Sequence, residues 1–157
     1  MQEARVWRAL LGLKNTVVEG VEFDDAAGVV VVHVRPTASR RGRCGTCRRR
    51  SPGFDHGDGR RRWRALDLGT VQAFVEAEAP RVSCRRHGVI VAAVPWARHD
   101  AGHTRDFDDT VAWLATVTSK TAVTRLMRVA WRTVGSIVAR VWADTGGAVD
   151  RLEGLAR

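Results

Sequence analysis

Apolar residues follow two different periods along the chain, and the change falls near residue 104. Along residues 70–78 they alternate with polar residues, which is the period of a strand with one buried face. From residue 104 to residue 144 they recur every three or four positions, which is typical of amphipathic helices. The pattern therefore predicts an α+β protein in which a β-rich part precedes a helical part.

The β-rich part is predicted to begin with a short helix and a hairpin, over residues 1–36. Residues 4–13 place four apolar side chains on one helical face, those of Val6, Trp7, Leu10 and Leu11. Two apolar runs, residues 16–23 and 29–36, then flank the turn DDAAG, where Gly28 can take the positive φ that a hairpin turn often needs. His33 lies inside the second run, and we interpret it as a strand residue.

A second group of strands is predicted within residues 37–97. RRRWRALDL and TVQAFVEAE, residues 60–68 and 70–78, flank a turn at Gly69, and VIVAAV supplies a third strand over residues 89–94. We expect these three strands to form a small antiparallel sheet of their own.

The helical part is predicted to contain three helices within residues 104–144, followed by a tail over residues 145–157. Thr104 is a suitable N-cap for the first helix, and Ser119 or Thr118 for the second. About three residues, Arg128 to Ala130, separate the second helix from the third, which is the connection length of a helix-turn-helix. Arg128 lies where such a turn often has glycine. The expected buried residues are Phe107, Val111, Leu114, Ala115, Val123, Leu126, Met127, Val134, Ile137, Val138 and Val141.

The polar face of the third helix predicts contact with DNA. Arg132, Thr133, Ser136 and Arg140 form one stripe, and Lys120 adds a charge at the start of the second helix. In a helix-turn-helix the exposed N-terminal residues of the second helix of the motif contact base edges in the major groove. Residues 120–140 hold five basic residues and no acidic one. The alternative is that three amphipathic helices form a plain bundle or a dimer contact.

Four residues have the spacing of a zinc site. Cys44 and Cys47 form a C-x-x-C pair, and Cys84 and His87 form a second pair with the same gap. Three thiolates and one imidazole complete a tetrahedral zinc shell, and a closed shell indicates structure and not catalysis. The sequence therefore predicts a zinc-ribbon-like module over residues 37–97. The alternative is that Cys84 is a small core residue and His87 a surface residue; His56, His99 and His103 do not have the required spacing.

The charge distribution predicts a polyanionic partner. Residues 35–64 contain eleven arginines and two aspartates, a net charge of +9 that equals the charge of the whole chain. Such density is typical of proteins that neutralise phosphates of nucleic acid. We expect DNA-backbone contacts from Arg48, Arg49, Arg50, Arg60, Arg61 and Arg62. The alternative is a solvated basic loop, since 24 of the 26 basic residues of the chain are arginine.

The sequence favours a cytoplasmic protein that does not contact membranes. No apolar run approaches the roughly 20 residues needed to cross a bilayer, and the first fifteen residues are a charged amphipathic segment. The three cysteines cannot all pair with one another, so metal binding or burial must explain them.

The order of these motifs resembles the N-terminal part of the ISL3 family of bacterial insertion-sequence transposases. The resemblance runs from about Leu10 to Asp144 and rests on LLGL, VEF, HVRP, the C-x-x-C pair, RRRWRALDLG, RVSCRRHGV, PWA and SKTAVTRLMRVAWRTVGSIVARV. It implies a zinc ribbon with Cys44, Cys47, Cys84 and His87 as ligands. It also implies a helix-turn-helix with the helix from Trp131 as reader, both recognising terminal inverted repeats.

Three departures from the family pattern bear on function. The first knuckle reads CGTCR where the family more often has proline after the first cysteine and glycine after the second, and Thr124 stands where alanine is frequent. A family transposase continues into an RNase H-like catalytic domain whose carboxylates bind two metal ions. Only a short segment follows the last predicted helix, so we expect no catalysis by this chain.

The sequence thus predicts a zinc-stabilised, sequence-specific DNA-binding protein, associated with the bacterial nucleoid when bound. A homodimer would double the reading helices and suggest an inverted-repeat site. The alternative function is a non-catalytic protein-interaction or dimerisation module whose arginines are merely solvated.

Overall fold

The computed structural model describes residues 2–145, so residues 146–157 of the predicted tail lie outside the described part. The chain divides into two compact units, with the boundary between Asp106 and Phe107. The described residues form four helices and seven strands, a mixed α+β fold. The elements of the first unit are α1 (Gln2–Leu10), β1 (Thr16–Asp24), β2 (Val29–Pro36), β3 (Gly53–Asp55), β4 (Arg60–Arg64), β5 (Gln72–Glu78), β6 (Arg81–Cys84) and β7 (Gly88–Val91).

The predicted helix and hairpin are confirmed, with one difference in burial. β1 and β2 pair antiparallel around a turn in which Gly28 has φ +63°. α1 ends at Leu10, and the residue that follows it, Leu11, is buried together with Leu13. Val6 and Leu10, expected on the buried face, are half exposed to solvent, at 50% and 56%. The predicted buried face of α1 is therefore wrong for these two residues.

The strands around Gly69 do not form a sheet of their own. They are β4 and β5, which pair with each other antiparallel and join the hairpin in a four-stranded sheet of order β1-β2-β5-β4. β2 and β5 are parallel, with Val30 opposite Ala73 and Val32 opposite Val75. An isolated hairpin is marginally stable, and the apolar strand β2 becomes fully paired only when a second strand covers its free edge. The expected antiparallel sheet of residues 60–94 is thus wrong in its pairing.

A second sheet carries the third predicted strand. Its order is β3-β6-β7, with both pairings antiparallel. β7 ends at Val91 and pairs with β6, so it does not share a sheet with the strands around Gly69 as expected. The hairpin of β6 and β7 carries the second predicted ligand pair, Cys84 and His87, at its turn.

The core of the first unit lies on one face of the four-stranded sheet. Alternate residues of β2 and β5, among them Val32 and Val75, are fully buried there. Trp63 of β4 packs edge-to-face on Trp96, with ring centroids 5.5 Å apart and planes at 75°. The loop that contains Trp96 is therefore held against the sheet, which fixes the chain that follows β7.

The second unit consists of the helices α2 (Arg105–Val117), α3 (Lys120–Met127) and α4 (Trp131–Thr145). The Ser119 side chain caps α3 by accepting a hydrogen bond from the backbone N–H of Ala122, at 3.2 Å. Arg128 ends α3 with φ +52°, so an arginine takes the left-handed conformation that glycine often provides. The unit buries Phe107, Val111, Val123, Met127, Val134 and Ile137.

Of the predicted helical core, Leu114, Ala115, Val138 and Val141 are only partly buried, and Leu126 lies outside it. Val123 and Met127 occupy the buried stripe of α3, and Leu126, which lies at the edge of that stripe, is 65% exposed. No helix within residues 2–145 is both long and apolar enough to span a membrane.

Candidate metal centre and nucleic-acid interface

The four predicted metal ligands converge on one point. The Sγ atoms of Cys44, Cys47 and Cys84 and a ring nitrogen of His87 all lie within 4.8 Å of one another. His87 Nδ1 is 3.5 Å from Cys44 Sγ and 3.7 Å from Cys84 Sγ, and Cys47 Sγ is 3.7 Å from Cys84 Sγ. A tetrahedral zinc ion with bonds to sulfur of about 2.3 Å requires ligands about 3.8 Å apart. The donor set and its spacing therefore fit zinc, and the four positions leave no open one for a substrate.

Backbone hydrogen bonds shape the first knuckle. The N–H of Arg48 donates to the carbonyl of Cys44 at 3.0 Å, and the N–H of Cys44 donates to the carbonyl of Arg49 at 2.9 Å. Arg48 closes this turn with φ +62°. A Cβ atom on Gly45 would lie 2.6 Å from the carbonyl oxygen of Val91 and would also strike His99. The knuckle therefore packs against the end of β7 through a position that only glycine fits.

The second knuckle is the turn between β6 and β7. Backbone N–H groups of Arg86 and His87 donate to Cys84 Sγ and lower the pKa of Cys84 from 9.0 to about 6. The pKa of Cys47 is raised: the N–H of Arg49 lowers it, but desolvation and the neighbouring thiols of Cys44 and Cys84 outweigh that effect. Zinc supplies the positive charge that keeps all three sulfurs ionised when it is bound.

Arginines surround the first knuckle and remain accessible. Arg48, Arg49 and Arg50 are exposed, as the sequence predicted for residues that meet a phosphate backbone. Arg43 is partly buried, with Nε and Nη1 donating to the carbonyls of Ser39 and Arg48, both at 3.1 Å. Three thiolates on a zinc ion leave a net charge of −1, which these arginines exceed several-fold.

The arginines of β4 have partners within the first unit. Arg60 and Arg62 lie across the strand pair from Glu78 and Glu76, and both bind Glu76, at 2.8 and 2.6 Å. These bonds lower the pKa of Glu76. Arg61 Nη2 donates to the carbonyl of Ala101 at 2.7 Å, and its guanidinium lies 5.3 Å from the Trp63 ring centroid. The charges of Arg60 and Arg62 are therefore balanced by carboxylates nearby. Of the arginines that the sequence predicts to contact the DNA backbone, those at the first knuckle are left as the stronger candidates.

The predicted reading stripe of α4 divides into two parts. Arg132 and Ser136 are exposed and Thr133 is partly buried near the start of the helix. Arg140 lies further along, and its Nη1 donates to Oδ2 of the buried Asp108 at 3.2 Å. Arg140 thus joins α4 to α2, and the accessible stripe is shorter than the sequence suggested.

Lys120 contacts the first residue of α4. Its Nζ lies 4.4 Å from the centroid of the Trp131 ring, which is a cation–π distance. Trp131 is itself 54% exposed. Trp131 is not among the predicted DNA contacts, although a large aromatic residue at the first position of the predicted reading helix is a signal that could have indicated it.

Two family models match the chain, on segments that contain these features. The zinc-finger of transposase IS204/IS1001/IS1096/IS1165 matches residues 40–87. The helix-turn-helix domain of transposase family ISL3 matches residues 92–142. The first segment includes the four converging ligands, and the second includes α2, α3 and most of α4.

Two curated relatives match the full chain. Both are described as the transposase for insertion sequence element IS1557, one from Mycobacterium tuberculosis strain CDC 1551 / Oshkosh and one from strain ATCC 25618 / H37Rv. Each is 59% identical over 162 aligned residues, which cover 100% of this chain and 36% of the relative. The chain therefore spans about a third of the length of these relatives. No solved structure matches it significantly.

Proposed function

The chain carries the zinc-finger and helix-turn-helix domains of the ISL3 transposase family, and we propose from this premise that it binds double-stranded DNA sequence-specifically. Zinc at Cys44, Cys47, Cys84 and His87 holds the two knuckles together, so that their arginines keep fixed positions. The observation that carries the proposal is the exposed polar start of α4, within a segment that has five basic residues and no acidic one.

The reading element is the N-terminal part of α4. The second helix of a helix-turn-helix enters the major groove with its first residues at the base edges. Arg132 can donate two hydrogen bonds to a guanine, and Ser136 and Thr133 can bond to bases or phosphate. Arg140 has a positioning role in this account, because it holds α4 against α2 through Asp108.

Contacts with the DNA backbone come from the knuckle and from α3. Arg49 and Arg50 are exposed, and the chain has no acidic residue between Asp25 and Asp55, so their charge is available to phosphates. Arg48 is exposed beside them and adds to the positive field of the knuckle. Lys120 lies beside the start of α4 and would meet a phosphate next to the bases that are read. Arg60, Arg61 and Arg62 add to the positive field of the first unit without being direct contacts.

The match to transposase domains supports a proposal about the biological target. We propose terminal inverted repeats as the site, read by a homodimer whose two α4 helices occupy the two halves of the repeat. The chain acts in recognition and not in strand cleavage, since the matched domains are a zinc finger and a helix-turn-helix. Such a protein works in the bacterial cytoplasm, at the nucleoid. Its functional segments are residues 1–36, 37–97, 104–144 and 145–157, with metal binding in the second and base reading in the third.

A protein-interaction or dimerisation module is the competing function. Large apolar side chains on the helices favour it, because Trp113, Leu126 and Trp142 are 63%, 65% and 71% exposed. An Arg132→Ala variant separates the two functions. DNA reading predicts a loss of about 1–3 kcal/mol that is confined to one base position. If Arg132→Ala and wild type bind every duplex equally, the interaction module is the better account.

A further inference from the structure

A cavity beside the first zinc knuckle has an unusual concentration of positive charge. This knuckle cavity has a volume of about 190 Å³ and is lined by Asn15, Arg40, Arg43, Arg48 and residues 93–95. Of the described residues that line it, none is acidic, and the chain has no Asp or Glu between Asp25 and Asp55. At about 30 Å³ per water molecule, the cavity has room for a small anion and a few waters.

Arg43 is held in place at one wall of the knuckle cavity. Its Nε and Nη1 donate to two backbone carbonyls, those of Ser39 and Arg48. A guanidinium has five N–H donors, so Arg43 keeps further donors after these two bonds. Its charge is fixed in position without being neutralised by a carboxylate within the described residues.

Arg40 lies at the other side of the same cavity with its charge available. The backbone N–H of Arg40 donates to the Thr37 carbonyl at 2.9 Å, and the N–H of Thr37 donates to the Asn15 carbonyl at 2.9 Å. These bonds connect the loop that follows β2 to Asn15, which lies between α1 and β1. The Arg40 side chain is exposed and has no protein partner in the part of the chain that the structure describes.

The backbone around the cavity is itself constrained. Asn15 and Arg48 have φ of +54° and +62°, so two non-glycine residues that line one small cavity are left-handed. Such conformations cost free energy and persist where the surrounding structure holds them. Here both lie in the backbone that lines the cavity together with Arg40 and Arg43.

We propose that the knuckle cavity binds one phosphodiester group of the DNA backbone, with Arg40 and Arg43 as its main donors. This inference rests on the proposed DNA-binding function and adds to it a single defined phosphate contact. Guanidinium groups match phosphate oxygens with paired hydrogen bonds, and those of Arg40 and Arg43 belong to residues that line the same cavity. A phosphate fixed here sets the register of the zinc knuckle on the duplex, because contacts to phosphates position a protein while contacts to bases specify the sequence.

The test is a phosphate-by-phosphate scan of a duplex selected from a random library by the zinc-loaded protein. Each phosphate in turn is replaced by an uncharged methylphosphonate, and binding is measured for wild type, Arg40→Gln and Arg35→Gln. Arg35 is an exposed arginine of β2 whose Nε is paired with Glu19 at 3.0 Å, so Arg35→Gln controls for the loss of one charge. Arg43 is left unchanged, because a substitution there would remove its hydrogen bonds to the knuckle backbone, and a loss of DNA binding could then reflect a loss of folding.

We expect one phosphate position at which the methylphosphonate weakens wild-type binding by about tenfold and weakens Arg40→Gln binding by less than about twofold. Arg35→Gln should keep the wild-type pattern. The slope of log K against log salt should fall in magnitude by about 0.9 for Arg40→Gln.

Two results would overturn the inference. One is a scan in which every position affects Arg40→Gln and wild type equally. The other is an Arg40-dependent uptake of inorganic phosphate by the free protein with no such position in the duplex, which would assign the cavity to a free anion. If the wild-type protein selects and binds no duplex at all, the proposed DNA-binding function itself is wrong.

Discussion

Replacing Arg140 with methionine should destabilise the helical unit without removing its DNA contacts. Arg140 Nη1 lies 3.2 Å from Oδ2 of Asp108, whose side chain is 0% exposed, while the Arg140 side chain is 25% exposed. Removing one partner of a buried ion pair costs about 3–5 kcal/mol, since it leaves an uncompensated charge inside the protein. Arg140 is partly solvated and Asp108 has further contacts, so we expect a smaller loss in the free energy of unfolding, about 2–3 kcal/mol. Methionine keeps most of the apolar stem, so the change tests the charge and not the packing.

The assay is denaturant unfolding of the zinc-loaded chain, followed by circular dichroism at a wavelength dominated by helix. Arg132→Met is the matched control, because Arg132 is exposed on the same helix and should change the free energy of unfolding by less than about 0.5 kcal/mol. Adding Asp108→Asn to Arg140→Met should recover part of the lost stability. Under folding conditions the DNA affinities should have the opposite order, with Arg132→Met weaker than Arg140→Met. An Arg140→Met protein of wild-type stability that has lost base specificity would refute the positioning role.

Three further predictions concern the knuckles and the turn of the helical unit. Cys84→Ala should carry no zinc by elemental analysis where wild type carries one ion per chain, and an equal zinc content would contradict the ligand set. Gly45→Ala should lower the free energy of unfolding by about 1–3 kcal/mol because its Cβ has no room, whereas Gly53→Ala, with nothing within 4 Å, should change it by less than about 0.5 kcal/mol. Arg128→Gly should raise the free energy of unfolding by about 1 kcal/mol, because glycine adopts the left-handed conformation at lower cost than arginine. Arg125→Gly, inside α3, should lower the free energy of unfolding by about the same amount. Equal effects of the two changes would show that the backbone at residue 128 is not strained.

Local spacing was enough to predict the metal centre and the helices. A C-x-x-C turn brings two sulfurs to one side of the chain whatever surrounds it, so Cys44 and Cys47 needed only a second pair to complete the set. The helical period and the cap at Ser119 likewise depend on residues close in sequence. Each knuckle and each helix is thus fixed by residues close in sequence, and the structure has them where the pattern placed them.

Pairing between distant strands could not be read in the same way. The parallel contact of β2 with β5 joins residues about forty positions apart, and alternation of apolar residues says which face is buried but not which edge is covered. For the same reason the strand over residues 89–94 was expected in the sheet of residues 60–78, whereas it lies in a separate sheet with β6. Burial at the margins of a helix is equally a matter of what packs there, which is why Leu126 is exposed although its spacing suits the core.

The arginines illustrate a different limit. Their number correctly indicates a basic protein, but a sequence does not state which charges are already balanced. Arg60 and Arg62 find Glu76 only because β4 and β5 pair in one register, and Arg140 finds Asp108 only when α2 and α4 pack. The proposed DNA surface is therefore smaller than the arginine count suggests, and it is limited to the first knuckle and the start of α4.

Selection of duplexes from a random library by the zinc-loaded protein, at two salt concentrations, decides whether the protein reads DNA sequence. Sequence-specific reading predicts one motif enriched at both concentrations, because base contacts by α4 persist while phosphate contacts weaken as salt rises. Enrichment that disappears at the higher concentration, or no enrichment at either, would contradict sequence-specific reading and favour an interaction module with a solvated basic surface.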